Sequence, residues 1–132
     1  IKELLKDLSG ENNIIDCPPG TSCNVVNTLN YADSAILVTE PTKFGLHDLK
    51  IAVEVVRMFH IPFGIIINKD DEKENIIREY SREENIDIIG SIPYRRDIAR
   101  VYSKGEILYD NINFKPIFEE LVDRSKAVLK WN

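Results

Sequence analysis

Short runs of β-branched and aliphatic residues alternate along this chain with stretches whose apolar positions recur every three or four residues. The runs predict strands at 13–17, 34–39, 63–68 and 86–91. Phe63-Gly64-Ile65-Ile66-Ile67 is a continuous apolar run, the pattern of a strand covered on both faces. The periodic stretches predict helices at 1–9, 24–31, 45–60, 72–84, 94–103 and 113–130. Within 45–60, Leu46, Leu49, Val53 and Val56 fall on one helical face. In the last helix Phe114, Ile117, Phe118, Leu121, Val122, Val128 and Leu129 recur at helical spacing. Strand–helix alternation of this kind predicts an α/β fold, a parallel sheet with helices on both faces, as one domain over 1–132.

One segment departs from this plain alternation. Asn13-Ile14-Ile15 runs into Asp16, Cys17, Pro18, Pro19 and Gly20, then Thr21, Ser22 and Cys23. It reads as a buried strand that delivers the Asp16 carboxylate to the rim of the sheet. Its loop is stiff at the prolines, which fix φ, and free at the glycine. Open α/β sheets bind ligands outside the carboxyl ends of their strands. A strand end with a tight turn is the bland alternative; Asp-x-Pro-Pro-Gly after an apolar run is far more specific than a lone Asp.

This segment resembles the second nucleotide motif of the MinD/Mrp-type P-loop ATPases, whose relatives include the nitrogenase iron protein. The likeness continues through Tyr31-Ala32-Asp33-Ser34-Ala35-Ile36-Leu37-Val38-Thr39-Glu40-Pro41-Thr42 and the helix start Phe44-Gly45-Leu46-His47-Asp48-Leu49. It extends to Ile65-Ile66-Ile67-Asn68-Lys69 and Gly90-Ser91-Ile92-Pro93, where the family has its base-side loops. Cys23 and the Glu-Pro-Thr triplet look closest to the branch with an inserted ferredoxin domain. The resemblance implies ATP binding and hydrolysis with magnesium, a nucleotide-gated homodimer, and a task in iron–sulfur cluster assembly or electron transfer with a redox partner protein. It gives Asp16 the role of holding magnesium through water and Gly20 that of meeting a γ-phosphate with its amide. Asn68, with Lys69 beside it, would contact the base, and Pro93 would line the other side of that pocket.

The chain contains no Gly-rich Lys-[Ser/Thr] phosphate loop, which the family places upstream of the Asp16 motif. The expectation is therefore the C-terminal part of a longer ATPase, possessing a base site but inactive alone without the phosphate-loop segment. A non-catalytic partner module with the same fold is the first rival. A GTPase-like switch is the second, because Asn68-Lys69-Asp70-Asp71 also fits the Asn-Lys-x-Asp pattern that reads guanine. Such GTPases carry Asp-x-x-Gly at the switch, whereas three residues separate Asp16 from Gly20 here. That spacing favours adenine.

Composition narrows the picture further. Of 132 residues, 43% are hydrophobic and 30% charged, as in ordinary globular domains. A net charge of −5 argues against a nucleic-acid footprint, which would be basic. No apolar stretch approaches transmembrane length. The last helix mixes Glu119, Glu120, Asp123, Arg124, Lys126 and Lys130 on its polar face, so packing on the sheet is preferred to lying on a membrane. The two cysteines, Cys17 and Cys23, are too few and too close for a secreted disulfide framework, which points to the cytoplasm. Cys17 reads as strand-end core filler. Cys23 precedes a helix, where a thiol gains thiolate character, and is the weaker metal candidate. A full cluster or zinc site would need about four ligands. Glu40 follows a strand, and Asp48 reads as first-turn helix charge.

Overall fold

The computed structural model describes residues 12–130. The helix expected at 1–9 lies outside them. Three parallel strands form one sheet in the order β1 (Ala35–Thr39), β2 (Phe63–Asp70), β3 (Ile88–Pro93). Among the described residues there are five helices: α1 (Cys23–Leu29), α2 (Lys43–Arg57), α3 (Ile76–Glu84), α4 (Arg96–Ser103) and α5 (Lys115–Leu129). A short 3-10 turn at Leu108–Asp110 joins α4 to α5. The α/β fold with a parallel sheet is therefore as the hydrophobic pattern predicts.

Local chemistry explains the boundaries. Thr42 begins α2 by accepting the Gly45 amide on its Oγ1 at 2.9 Å. Asn75 begins α3 by accepting the amides of Ile77 and Arg78, both at 3.1 Å. Asn85 ends α3 in the left-handed conformation at φ 53°, a usual helix stop. α5 carries a proline in its first turn and closes on Lys130 at φ 56°.

Two apolar layers sandwich β2. On one face Ile65 and Ile67 meet Leu49 and Val53 of α2 and Ile77 and Tyr80 of α3. On the other Ile66 and Ile89 meet Leu121 and Leu129 of α5. Successive residues point to opposite faces, so an uninterrupted isoleucine run feeds both cores. Each fully buried isoleucine is worth about 2 kcal/mol in transfer alone. The face expected on α2 is confirmed, with Leu49, Val53 and Val56 all buried. On α5 Val122 departs from its expected place: it is 45% exposed, on the flank of the stripe.

The coverage is uneven. In the parallel register Val38 stands beside Ile66 and Leu37 beside Ile65. Leu37 packs into the α2–α3 layer. Ile36 and Val38 turn to the α5 face, but α5 lies over β2 and β3, leaving them 42% and 63% exposed. Among the described residues, β1 has β2 on one side and no strand on the other.

The strand expected at 13–17 does not form. Those residues are extended or irregular and outside the sheet, and Ile14 is 92% exposed. An extended segment becomes a strand only when a neighbouring backbone takes its amides and carbonyls, and no described strand does so. Asp16 is thus not at the end of a sheet strand among the described residues.

Tyr80 offers a test of the α2–α3 layer. Its ring is buried, and Lys50 Nζ lies 5.4 Å from the ring centroid. Burial, with Glu84 and Glu54 adding to it against Arg57, raises the phenol above its ordinary value. A raised folded value means this contribution is complete below the unfolded tyrosine value of about 10 and is lost as pH climbs through the folded one. Urea unfolding at rising pH above about 10 should therefore show a fall in stability that Tyr80→Phe makes shallower. An identical slope in the variant would mean the ring is not desolvated.

Candidate functional site

Because all three strands run in parallel, their carboxyl ends form one rim, where Glu40, Asn68, Lys69, Pro93 and Tyr94 meet. Lys69 Nζ pairs with Glu40 Oε1 at 2.8 Å, tying the end of β2 to the residue after β1. The hydrogen bond that Lys69 donates to Glu40, and then the charge of that carboxylate, raise the Lys69 pKa. Both side chains are largely exposed, so the pair positions more than it stabilises. Lys69 also sits at φ 52°, in the left-handed region. Its amide donates to Asn68 Oδ1 at 3.0 Å, which fixes the Asn68 side chain on the rim.

The start of α2 presses on the same rim. Thr39 Oγ1 donates to the Gly45 carbonyl at 3.0 Å. A Cβ at Gly45 would lie 2.3 Å from the Glu40 carbonyl oxygen, so the close approach requires glycine.

Below the rim lies a residue that sequence reading passed over. The Asp70 side chain is fully buried and is paired with Arg78. Its Oδ1 accepts the Glu72 amide and Asn75 Nδ2, both at 3.2 Å. Its carbonyl accepts the Tyr94 amide at 2.7 Å, which joins the loop after β2 to the end of β3. One carboxylate thus holds the turn leading into α3. The sequence signal was available in Asp70, Asn75 and Arg78, an acid followed by a cap and a base one helical turn in. The Asn-Lys-x-Asp pattern points instead to Asp71, which accepts the Lys73 amide at 3.3 Å within its own loop.

Of the site residues expected from sequence, Asn68, Lys69 and Pro93 come together at this rim, Pro93 standing beside Asp70 in the register. Asp16 and Gly20 lie in the exposed segment before α1, with Gly20 at φ 93°. No hydrogen bond or ion pair among the described residues joins either to the rim. Cys17, expected in the core, is exposed, because the strand that would have carried it inward is absent. Cys23 is the first residue of α1, also exposed, and both thiols are free. Asp48 is the sixth residue of α2, beyond the first turn where it was expected. Among the described residues, no group of three or more His, Cys, Asp or Glu side chains is placed to hold a metal, and no helix is long and apolar enough to cross a membrane.

No family profile matches the chain. An uncharacterized protein of Methanocaldococcus jannaschii is 35% identical over 86% of this chain and 39% of its own length. An uncharacterized ATP-binding protein of the same organism is 25% identical over 98% of this chain and 52% of its own length. An iron-sulfur cluster carrier protein of Aquifex aeolicus is 31% identical over 70% of this chain and 30% of its own length. The chain thus spans about half, or less, of the curated relatives it matches. These similarities support, at a distance, a relationship to MinD/Mrp-like P-loop ATPases.

The network beneath the rim is directly testable. Asp70→Ala leaves the Arg78 guanidinium without its counter-charge and strips two donors of their acceptor. It should lower unfolding stability by about 3 kcal/mol, read from urea titration. A loss below about 1 kcal/mol, the scale of a surface pair, would mean the loop holds itself without the carboxylate.

Proposed function

We propose that this chain carries the base-side and magnesium-side elements of the nucleotide site of a MinD/Mrp-type ATPase that serves iron–sulfur cluster assembly or electron transfer. The observation that supports this best is the convergence of Asn68, Lys69 and Pro93 on one strand-end rim. Their chemistry suits a purine. Asn68 Oδ1 already accepts the Lys69 amide, so the Asn68 Nδ2 group remains to donate to a ring nitrogen. Pro93 offers a half-buried apolar wall at the neighbouring strand end. Guanine would ask Asp71 to receive ring N–H groups. Asp71 instead faces its own loop, so adenine is the better fit.

In this reading Asp16 orders water around magnesium. A single carboxylate suits an ion that keeps much of its hydration. Gly20, free to turn, presents its amide to the γ-phosphate. The donors that cradle the phosphates would come from a segment outside this chain, since no Gly-Lys phosphate loop is in its sequence. Two copies would enclose ATP between them, and the exchange between bound states would drive cargo handling. The cluster is cargo here. Two exposed thiols cannot complete a ligand set, so Cys23 would need a second copy or another segment to hold it.

The test uses the full-length protein that contains this chain. Asn68→Ala should weaken ATP binding about tenfold, the loss of one hydrogen bond to the base. ATP should out-compete GTP. Asp16→Asn should reduce turnover far more than ATP affinity, since ordered magnesium and water matter most in the transition state. Normal turnover of Asp16→Asn at saturating magnesium would make that carboxylate structural. Absence of any ATP binding by the unmutated protein would leave the non-catalytic partner module standing.

A further inference from the structure

A cleft of about 490 Å³ runs along the side of β3 away from β2, between α3 and α5, from Ile88 at the strand start to Pro93 at its end. Three arginines from three different elements line it: Arg78 of α3, Arg95 before α4 and Arg124 of α5. Ser91, Glu72 and Glu120 also face it. Its charged lining is three arginines and two glutamates, and two of the arginines, Arg78 and Arg95, also carry the carboxylate partners Asp70 and Asp97.

Each arginine is held in place by something other than a ligand. Arg78 is anchored on the buried Asp70. Arg95 pairs with Asp97, its Nε donating to Oδ1 at 3.1 Å, and lies over the Phe114 ring at 5.5 Å. Arg124 donates to the Ile88 carbonyl at 3.0 Å, with Glu120 at 3.9 Å. A guanidinium has five N–H donors, so these contacts leave several free. One is conspicuous. Arg78 Nε is shielded from solvent and has no hydrogen-bond partner. A buried donor without an acceptor is unfavourable, so the Arg78 guanidinium, which lines the cleft, gains by turning this N–H toward an acceptor there.

We infer that this cleft binds a small oxyanion, a phosphate or carboxylate group, through Arg78, Arg95 and Arg124. Fixed, planar donors suit such anions better than flexible lysines do. Glu72 and Glu120 limit the charge the cleft accepts, which favours a small headgroup over a polyanion. An extended peptide adding to β3 is the less favoured occupant, because Arg124 already takes the Ile88 carbonyl on that edge. Asn68 and Lys69 do not line the cleft, and Pro93 is the one residue it shares with the proposed base site.

The test is a titration of ¹⁵N-labelled protein followed at the arginine Nε–H resonances. Sodium phosphate, sodium acetate and sodium chloride are compared at matched ionic strength. Phosphate, acetate or both should move the Arg78 Nε–H signal saturably while chloride does not, and the two arms tell phosphate from carboxylate. Arg124→Gln, which leaves the Asp70–Arg78 pair untouched, should weaken that binding about tenfold, the loss of one charge-assisted bond. An unmoved Arg78 signal, a response equal to that in chloride, or one that Arg124→Gln and Arg95→Gln both leave unchanged would overturn the proposal. So would a response seen only with an acidic peptide.

Discussion

The buried Asp70 carboxylate is the constraint on which the working end of this molecule depends. A charge out of contact with water is tolerable only when its lone pairs are met by donors and its charge by a counter-charge. Asp70 meets both conditions through Glu72, Asn75 and Arg78. The consequence spreads in three directions. The turn after β2 is fixed, which sets Asn68 and Lys69 on the rim. The Asp70 carbonyl holds the Tyr94 amide, which sets the end of β3 against the end of β2. Arg78 is pinned on the wall of the arginine cleft. Such a centre contributes definition more than net stability, because desolvating two charges cancels much of their attraction.

Beneath that rim the architecture is a plain outcome of hydrophobic burial. β2 is central, so its isoleucines divide between two layers and need helices on each. α2 and α3 supply one layer and α5 the other. Gly90 marks how tightly the second is packed, since a Cβ there would lie 2.6 Å from Leu121 Cδ2. β1 shares only the first layer, which is why its outward pair, Ile36 and Val38, meets solvent.

The sequence made the repetitive parts of this fold legible. The Leu49, Val53 and Val56 stripe and the isoleucine runs report burial directly, since spacing encodes which face is covered. It made the rim residues Asn68, Lys69 and Pro93 legible too, because each follows an apolar strand and parallel strands end together. It misled at Asn13–Cys17. Ile14 and Ile15 have the composition of a strand, but a strand is a relation between two backbones, and no local pattern states whether the partner is there. Asp70 stayed hidden for a related reason. Its burial is created by Asn75 and Arg78 folding back over it, and a single charged residue after an apolar run looks the same whether capped or solvated. Cys17 followed the error at its neighbours.

Lys69 and Glu72 both hold positive φ, one on each side of Asp70. For residues with a Cβ this left-handed geometry costs roughly 1–2 kcal/mol apiece. The short segment between strand and helix is therefore a reservoir of backbone energy, sustained by the bonds that converge on one carboxylate. Glycine at 69 would adopt the same geometry without that cost, yet it could not reach across to Glu40. The rim trades ease of folding for a side chain in a chosen place. Any engineering that smooths this turn for thermal robustness would release the tension and, with it, the alignment of three strand ends.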